Sequence, residues 1–162
     1  MSDLRWFVAH TRPRCEKKLV RYGHREGILV TLPTYKAAHK YRGKTVAFDK
    51  PLFPGYVFLQ ISDDQRGKVQ QSDCLANLLK VTDQELFAQQ LTEILSALET
   101  GLEIRLAPAI GEGMRVKIKH GPLQGVDGWV ERRHGMNIVL LRLDFIGQAA
   151  AVKVEATDLE LI

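Results

Sequence analysis

The stretch Pro51-Leu52-Phe53-Pro54-Gly55-Tyr56-Val57-Phe58-Leu59 decides the fold of the N-terminal part of this chain. Both prolines lack a backbone N–H and disfavour helix for the residue before them, so we expect irregular extended chain first and a strand after the glycine. Because side chains alternate along a strand, Tyr56 and Phe58 share one face. The other face carries Val57 and Leu59. Both faces are apolar, so the strand is either covered on both sides inside one domain or buried on one side and adhesive on the other.

Length and composition bound what surrounds this strand. The chain has 162 residues, of which 45% are hydrophobic and 26% charged, enough for one medium domain or two small ones. No apolar run approaches the roughly 18 residues of a membrane helix, and residues 1–10 are too short for a signal peptide. Cys15 and Cys74 are far apart in sequence and lack neighbours at metal-ligand spacing. We therefore expect a cytoplasmic protein with two buried thiols, no metal and no membrane association.

Charge is distributed unevenly along the chain. Residues 1–50 hold 12 Lys and Arg against 4 Asp and Glu, a net +8, whereas residues 51–110 hold 4 against 8, a net −4. The remaining residues balance at 7 and 7. The N-terminal third is thus the candidate surface for a polyanion.

Much of the positive charge lies on one predicted helix. After a strand at residues 5–10, Thr11-Arg12-Pro13 forms a turn that leads into a helix over residues 14–26, and Gly27 ends it. At helical spacing five cations line one stripe: Arg14, Lys17, Lys18, Arg21 and Arg25. A solvated helix face and a contact with an anion or nucleic acid are both open on this pattern.

The next segments complete an α+β pattern. Two extended runs, residues 28–35 and 37–48, contain a glycine-centred turn at Arg42-Gly43-Lys44 that predicts a hairpin tip. A short helix over residues 63–70 and a strand over 75–81 follow. Thr82-Asp83-Gln84-Glu85 matches a capping box, and apolar residues then recur at helical spacing up to Thr100-Gly101. We expect an antiparallel sheet with flanking helices.

The C-terminal part is predicted to be a separate small β domain. Residues 106–113 contain a proline and two glycines without periodicity, as a linker does. Four or five short strands follow, punctuated by glycines, and closure into a barrel would remove their exposed edges.

Motifs in both parts of the chain resemble those of a known protein family. Residues 113–130, GMRVKIKHGPLQGVDGWV, resemble the KOW motif. Arg5-Trp6-Phe7-Val8 together with Phe53-Pro54-Gly55-Tyr56-Val57 resembles the amino-terminal domain of NusG-type transcription elongation factors. Two features look most like the specialised RfaH branch: Arg42-Gly43-Lys44 followed by Pro51-Leu52-Phe53-Pro54, and the apolar run at residues 138–143. The resemblance implies an NGN-like domain at residues 1–105, a linker at 106–112 and an SH3-like KOW β-barrel at 113–162.

The resemblance also implies a function. Family members bind the clamp helices of RNA polymerase through the NGN domain and suppress pausing, and the matching positions here are Trp6, Phe53, Tyr56 and Phe58. A surface that faces the non-template DNA strand is expected at Arg12, Arg14, Lys17, Lys18, Arg21 and Arg66. Phosphate contacts would supply affinity there. Such a protein acts as a monomer and needs no cofactor.

The KOW domain of the family recruits ribosomal protein S10 or the termination factor Rho. The positions that match are Leu123, Val126, Phe145 and Ile146, of which Leu123 departs from the usual phenylalanine. Val126 and Ile146 could equally be apolar residues of the barrel core with no role in binding a partner. Some specialised members hide their polymerase pocket under a helical C-terminal domain, but the β-branched residues here favour the barrel form.

Two rival functional classes were weighed. KOW sequences also occur in ribosomal proteins, so a KOW-type RNA-binding protein associated with the ribosome is the alternative, although it leaves the apolar face of Tyr56 and Phe58 unexplained. An enzyme is disfavoured because the five histidines are scattered and there is no nucleophile elbow, phosphate-binding loop or metal-ligand cluster. We therefore expect no catalytic residues.

Overall fold

The structure is a computed structural model that describes residues 3–102, 104–108, 114–133, 136–154 and 159–161. The chain divides into two compact units, residues 1–85 and 86–162. The elements of the first unit are β1 (Arg5–Thr11), α1 (Glu16–Arg25), β2 (Leu29–Thr31), β3 (Thr34–Tyr41), β4 (Lys44–Pro51), β5 (Tyr56–Ile61), a 3-10 turn (Asp63–Gln65), α2 (Arg66–Gln70) and β6 (Leu75–Lys80). None of the described helices is both long and apolar enough to cross a membrane.

A four-stranded sheet in the order β2-β5-β1-β6 forms the centre of the first unit. The strand predicted after the proline-rich stretch is β5, and it pairs antiparallel with both β1 and β2. One face of the sheet packs into a core with helices α1 and α2. That core consists of Phe7, Ala9, Leu19, Ile28, Val57, Leu59, Ile61 and Val69. The predicted α+β fold with an antiparallel sheet and flanking helices is confirmed for this unit.

Helix α1 begins two residues later than predicted. Arg14 has a φ of 62°, in the left-handed region that an α-helix excludes, so the helix starts at Glu16 with Cys15 at the N-cap. The predicted end is right, because Gly27 has a φ of 72°. Four of the five cations of the predicted stripe therefore lie on the helix, while Arg14 belongs to the turn before it.

The hairpin predicted around Arg42-Gly43-Lys44 is formed by β3 and β4. Arg42 and Gly43 have φ values of 50° and 79°, so both central residues of the two-residue loop are left-handed, as a type I′ turn requires. The two strands pair from Thr34 opposite Pro51 to Tyr41 opposite Lys44. They form a two-stranded sheet of their own, and most of its side chains are exposed.

The second unit contains α3 (Gln84–Glu99), which starts at the end of the first unit, and six strands. The strands are β7 (Ile104–Pro108), β8 (Met114–Ile118), β9 (Asp127–Arg133), β10 (Met136–Leu143), β11 (Gln148–Lys153) and β12 (Leu159–Leu161). They form one antiparallel sheet in the order β12-β8-β9-β10-β11-β7. The pairings within the described ranges do not join β7 to β12, so the predicted closure into a barrel is not found in them.

The segment predicted as a linker is partly a strand. Residues 106–108 belong to β7, where Leu106 lies opposite Ala150 and Pro108 opposite Gln148. An edge strand can end in proline because its outer N–H groups have no partner to bind. Residues 109–113 lie outside the described part of the chain, and the domain bounds 1–105 and 113–162 stay predictions.

Candidate functional site

The predicted aromatic residues lie on the second face of the four-stranded sheet, opposite the helices. In the β1–β5 register Val8 is paired with Phe58 and His10 with Tyr56, and strand alternation puts Trp6 on this same face. The Phe53 ring meets the Phe58 ring edge to face, with centroids 6.2 Å apart. The Tyr56 ring stacks on His10 at 5.1 Å. All four predicted polymerase-contacting residues therefore belong to one surface or its edge.

These aromatic residues differ in exposure. Phe53 and Phe58 are 0% exposed, whereas Trp6 and Tyr56 are half-buried. Trp6 is also fixed through its backbone, since its N–H donates to Gln84 Oε1 and its carbonyl accepts from Gln84 Nε2 at 2.9 Å. Phe53 and Phe58 form the floor of this face, and Trp6 and Tyr56 are the members that reach solvent.

Two exposed leucines on this face were missed by the sequence reasoning. Leu79 of β6 is paired with Val8, and Leu29 of β2 is paired with Gln60, so both point to the second face. Leu29 is 56% exposed and Leu79 is 40% exposed. Each strand looked like an ordinary apolar strand in the sequence, and only the pairing register shows which of its leucines are exposed. We call Trp6, Leu29, Tyr56 and Leu79 the apolar rim.

A basic cleft opens where β1 ends and α1 begins. It has a volume of about 780 Å3, and its lining includes Arg12, Arg14, Lys17, Pro51 and Pro54. The three cations come from the turn and first helical turn that the sequence singled out. Lys18 and Arg21 are exposed on α1. Five of the six predicted nucleic-acid contacts are thus solvent-accessible cations on one stretch of chain.

Hydrogen bonds hold this cleft together. Glu16, which is 9% exposed, accepts the Gly55 N–H at 3.1 Å and ties the first turn of α1 to the proline-rich segment. The Lys17 ammonium donates to the Asp49 carbonyl at 2.6 Å and ties α1 to the hairpin. Lys17 would have to exchange this carbonyl for a phosphate in order to bind one.

Arg66 lies elsewhere. It is the first residue of α2, and its guanidinium stands 5.3 Å from the centroid of the Phe7 ring. Phe7 belongs to the core under α1 and α2, so Arg66 covers the helix-packed face of the sheet. The cleft lining does not include it. Arg66 is therefore not part of the cleft that Arg12, Arg14 and Lys17 line.

The four residues predicted to bind a KOW partner occupy two turns of the second unit. Leu123 and Val126 lie in the turn between β8 and β9, and the Val126 N–H donates to the Leu123 carbonyl at 3.1 Å. Phe145 and Ile146 lie in a 3-10 turn between β10 and β11. Leu123 is buried, and the other three are half-buried.

Helix α3 contacts one of these turns. The Phe87 ring meets the Phe145 ring edge to face, with centroids 6.3 Å apart. Gln90 of α3 both donates to the Asp144 carboxylate at 2.9 Å and accepts the Asp144 N–H at 3.0 Å. Part of the predicted partner surface is therefore already engaged within the chain.

A polar cluster lies between α3 and strands β8 to β10. Burial raises the pKa of the Glu93 carboxyl, and the nearby Asp127 carboxylate raises it further, against the effects of Gln89 and Arg115. The cavity at this cluster is only about 80 Å3. Over the described residues no three His, Cys, Asp or Glu side chains are placed to hold a metal ion.

The family model described as "Transcription termination factor nusG" matches residues 4–95. No curated protein sequence matches the chain. The matched range includes the whole four-stranded sheet, helices α1 and α2 and most of α3.

Proposed function

Because this chain belongs to the NusG family of transcription factors, we propose that it is a transcription elongation and antitermination factor that binds the clamp helices of RNA polymerase through its N-terminal unit and suppresses pausing. The single observation that carries the proposal is the second face of the sheet, whose buried aromatic floor is bordered by the exposed Leu29 and Leu79 and the half-buried Trp6 and Tyr56. Binding by this face forms no covalent bond, and the family's transcription factors are not enzymes.

The geometry of the second face suits a helical partner. Leu29 and Leu79 stand on opposite outer strands of the sheet, with Trp6 and Tyr56 on the strands between them. A helix tip resting on the rim would bury apolar side chains at both sides and meet two aromatic residues in the middle. Such a contact is dominated by a few aromatic anchors, and the buried Phe53 and Phe58 hold those anchors in place.

Nucleic-acid contact at the basic cleft is the second part of the proposal. Arg12, Arg14 and Lys17 line a cleft of about 780 Å3, and Lys18 and Arg21 extend the charge along α1. In the elongation complex these cations would meet phosphates of the non-template DNA strand, giving affinity that falls as salt rises. Arg66 is the least suited to this role, because it packs over Phe7 and does not line the cleft.

The second unit is proposed to be a KOW module that recruits ribosomal protein S10 or Rho through Leu123, Val126, Phe145 and Ile146. The buried Leu123 side chain serves this surface as support, and the half-buried Phe145 and Ile146 are its accessible members. Because Phe145 packs on Phe87, a partner that takes Phe145 has to share it with α3 or displace α3. Membership in the RfaH-like branch belongs to the same proposal and rests on the motif at residues 51–54.

A pull-down of nuclease-treated core RNA polymerase tests the docking face. The full chain is compared with Tyr56→Ala, which removes a rim aromatic, and with Tyr41→Ala, which removes a 60%-exposed tyrosine from the hairpin. We expect Tyr56→Ala to weaken binding by roughly tenfold or more, as loss of an aromatic anchor does. Circular dichroism shows that each variant is folded.

Three outcomes of the pull-down decide between the proposal and its alternatives. Loss of binding in Tyr56→Ala alone supports the proposal. Equal weakening in both tyrosine variants moves the contact away from the second face. If the folded wild type does not bind polymerase but does bind ribosomal RNA, the protein is instead the KOW-type RNA-binding protein that the sequence left as the alternative.

A further inference from the structure

The two cysteines of the chain, 59 positions apart in sequence, are neighbours in the folded N-terminal unit. The Arg12 N–H donates to the Cys74 carbonyl at 2.9 Å, and the Cys15 N–H donates to the Arg12 carbonyl at 3.1 Å. One residue thus binds both cysteine backbones. Cys15 is the N-cap of α1, and Cys74 immediately precedes β6.

The two side chains also influence each other. Burial raises the pKa of the Cys74 thiol, and the neighbouring Cys15 thiol raises it further. Both cysteines are half-buried and free, so a small reagent can reach them. The sequence favoured two separate buried thiols, since nothing in their spacing shows that β6 returns beside the end of β1.

We propose that Cys15 and Cys74 form a reversible intramolecular disulfide, which makes this pair a redox-modification site. The backbone hydrogen bonds of Arg12 bring these two accessible thiols from different elements close together, and disulfides in reducing compartments are typically redox-sensing rather than structural. The bond would pin the start of α1 to the start of β6. It would also restrain the turn that carries Arg12 and Arg14.

The oxidant is a low-molecular-weight disulfide such as oxidised glutathione. The Cys15 thiolate attacks one sulfur of that disulfide, which forms a mixed disulfide and releases one glutathione thiolate. The Cys74 thiolate then attacks Cys15 Sγ and releases the second glutathione. The two protein thiols lose two electrons and two protons, and the oxidised glutathione gains them.

The direction of the Cys74 pKa shift favours this order of attack. The raised pKa of Cys74 leaves it mostly as the thiol, although Ser72 and the nearby Lys18 ammonium act in the opposite direction. Only the thiolate is nucleophilic, so Cys74 is better suited to the second, intramolecular attack, in which a high local concentration compensates for a low thiolate fraction.

The test uses the full chain at low concentration, incubated with oxidised glutathione, quenched with an alkylating agent and weighed by intact mass spectrometry. We expect the wild type to lose both alkylatable thiols and the mass of two hydrogens, and dithiothreitol to reverse this. Cys15→Ser and Cys74→Ser should each retain one thiol that takes up a single glutathione. The oxidised wild type should also show a Tm higher by roughly 10 °C, because the bond closes a long loop.

The outcomes are distinct. An internal disulfide with a raised Tm, absent from both serine variants, supports the proposal. Two glutathiones on the wild type without an internal bond, disulfide-linked dimers on a non-reducing gel, or thiols that remain alkylatable would each overturn it. None of these readouts depends on polymerase or nucleic acid, so the proposed function and this inference fail independently.

Discussion

The two faces of the four-stranded sheet are both apolar in sequence, yet they differ in what covers their edges. On the first face α1 and α2 close over Phe7, Val57 and Leu59, all of which are at most 1% exposed. On the second face the centre is equally buried, but Leu29 and Leu79 remain 56% and 40% exposed on the outer strands. The first face therefore serves stability, and under the proposed function the exposed leucines of the second face serve binding, because exposed apolar surface can mark an interaction site.

The first prediction tests the stability side of this comparison. Phe7→Ala should lower the free energy of unfolding by about 3–5 kcal/mol, because it empties a fully buried ring site under α2. It also removes the surface on which Arg66 rests. Urea denaturation followed by circular dichroism measures the loss. Leu79→Ala is the matched control and should stay within about 0.5 kcal/mol of the wild type; an equal loss in both would erase the distinction between the faces.

The second prediction concerns how closely α1 approaches the sheet. A Cβ at Gly23 would lie 2.5 Å from Val30 Cγ1, so Gly23→Ala should cost on the order of 1–3 kcal/mol despite the better helix propensity of alanine. The double variant Gly23→Ala, Val30→Ala removes the clashing methyl group. It should be less destabilised than the two single changes added together, which a double-mutant cycle measures. Strict additivity would mean that the helix shifts freely and that the first face is not tightly closed.

The third prediction tests the binding side. Leu79→Lys and Leu29→Lys should each weaken binding to core RNA polymerase by about tenfold, or about 1.4 kcal/mol, while unfolding stays near the wild type. A lysine at the rim puts a charge where an apolar partner would seat. Val46→Lys, at a 51%-exposed position of the hairpin, is the matched control. If both rim variants still bind polymerase as the wild type does, the second face is not the polymerase-binding surface.

The sequence predicts the first face better than the second. Alternation in residues 56–59 assigns Val57 and Leu59 to one side and Tyr56 and Phe58 to the other, and the structure agrees. Alternation cannot say which strands lie at the sheet edges, since edge position comes from the order β2-β5-β1-β6 and not from any one strand. The exposure of Leu29 and Leu79 could not be predicted for that reason. The closeness of Cys74 to Cys15 could not be predicted either, because it also depends on the strand order.

Local backbone conformation decided which other features of the fold could be predicted from the sequence. The hairpin was predictable because Gly43 readily takes the left-handed conformation of a tight turn, and the end of α1 was predictable at Gly27 for the same reason. The start of α1 was not, because a left-handed arginine at position 14 is uncommon and has no sequence signal. In the second unit the strands were predicted well. Their closure was inferred from the need to avoid free edges, and β7 occupies an edge where a linker was expected.

The smallest predicted effect is a pKa change in the β3–β4 hairpin. Most side chains of this hairpin are exposed, so it extends the comparison to a sheet that neither helix covers. The Lys36 ammonium lies 2.6 Å from Asp49 Oδ1, and this hydrogen bond lowers the pKa of Asp49 below its ordinary value of 3.8; burial acts against it, and the charges of Lys36 and Lys17 add to it. The stabilisation from this pair is therefore fully present above pH 3.8 and is lost as the pH falls through the lowered pKa. Because both side chains are exposed, about 1 M salt should remove most of the shift.

An NMR titration of the Asp49 carboxyl carbon should show its pKa rising toward the ordinary value in Lys36→Gln and staying low in Lys40→Gln, the matched change on the same strand. A shift that survives both the Lys36 change and high salt would mean that Asp49 is held by buried groups, and that the hairpin is more covered than its exposed side chains indicate.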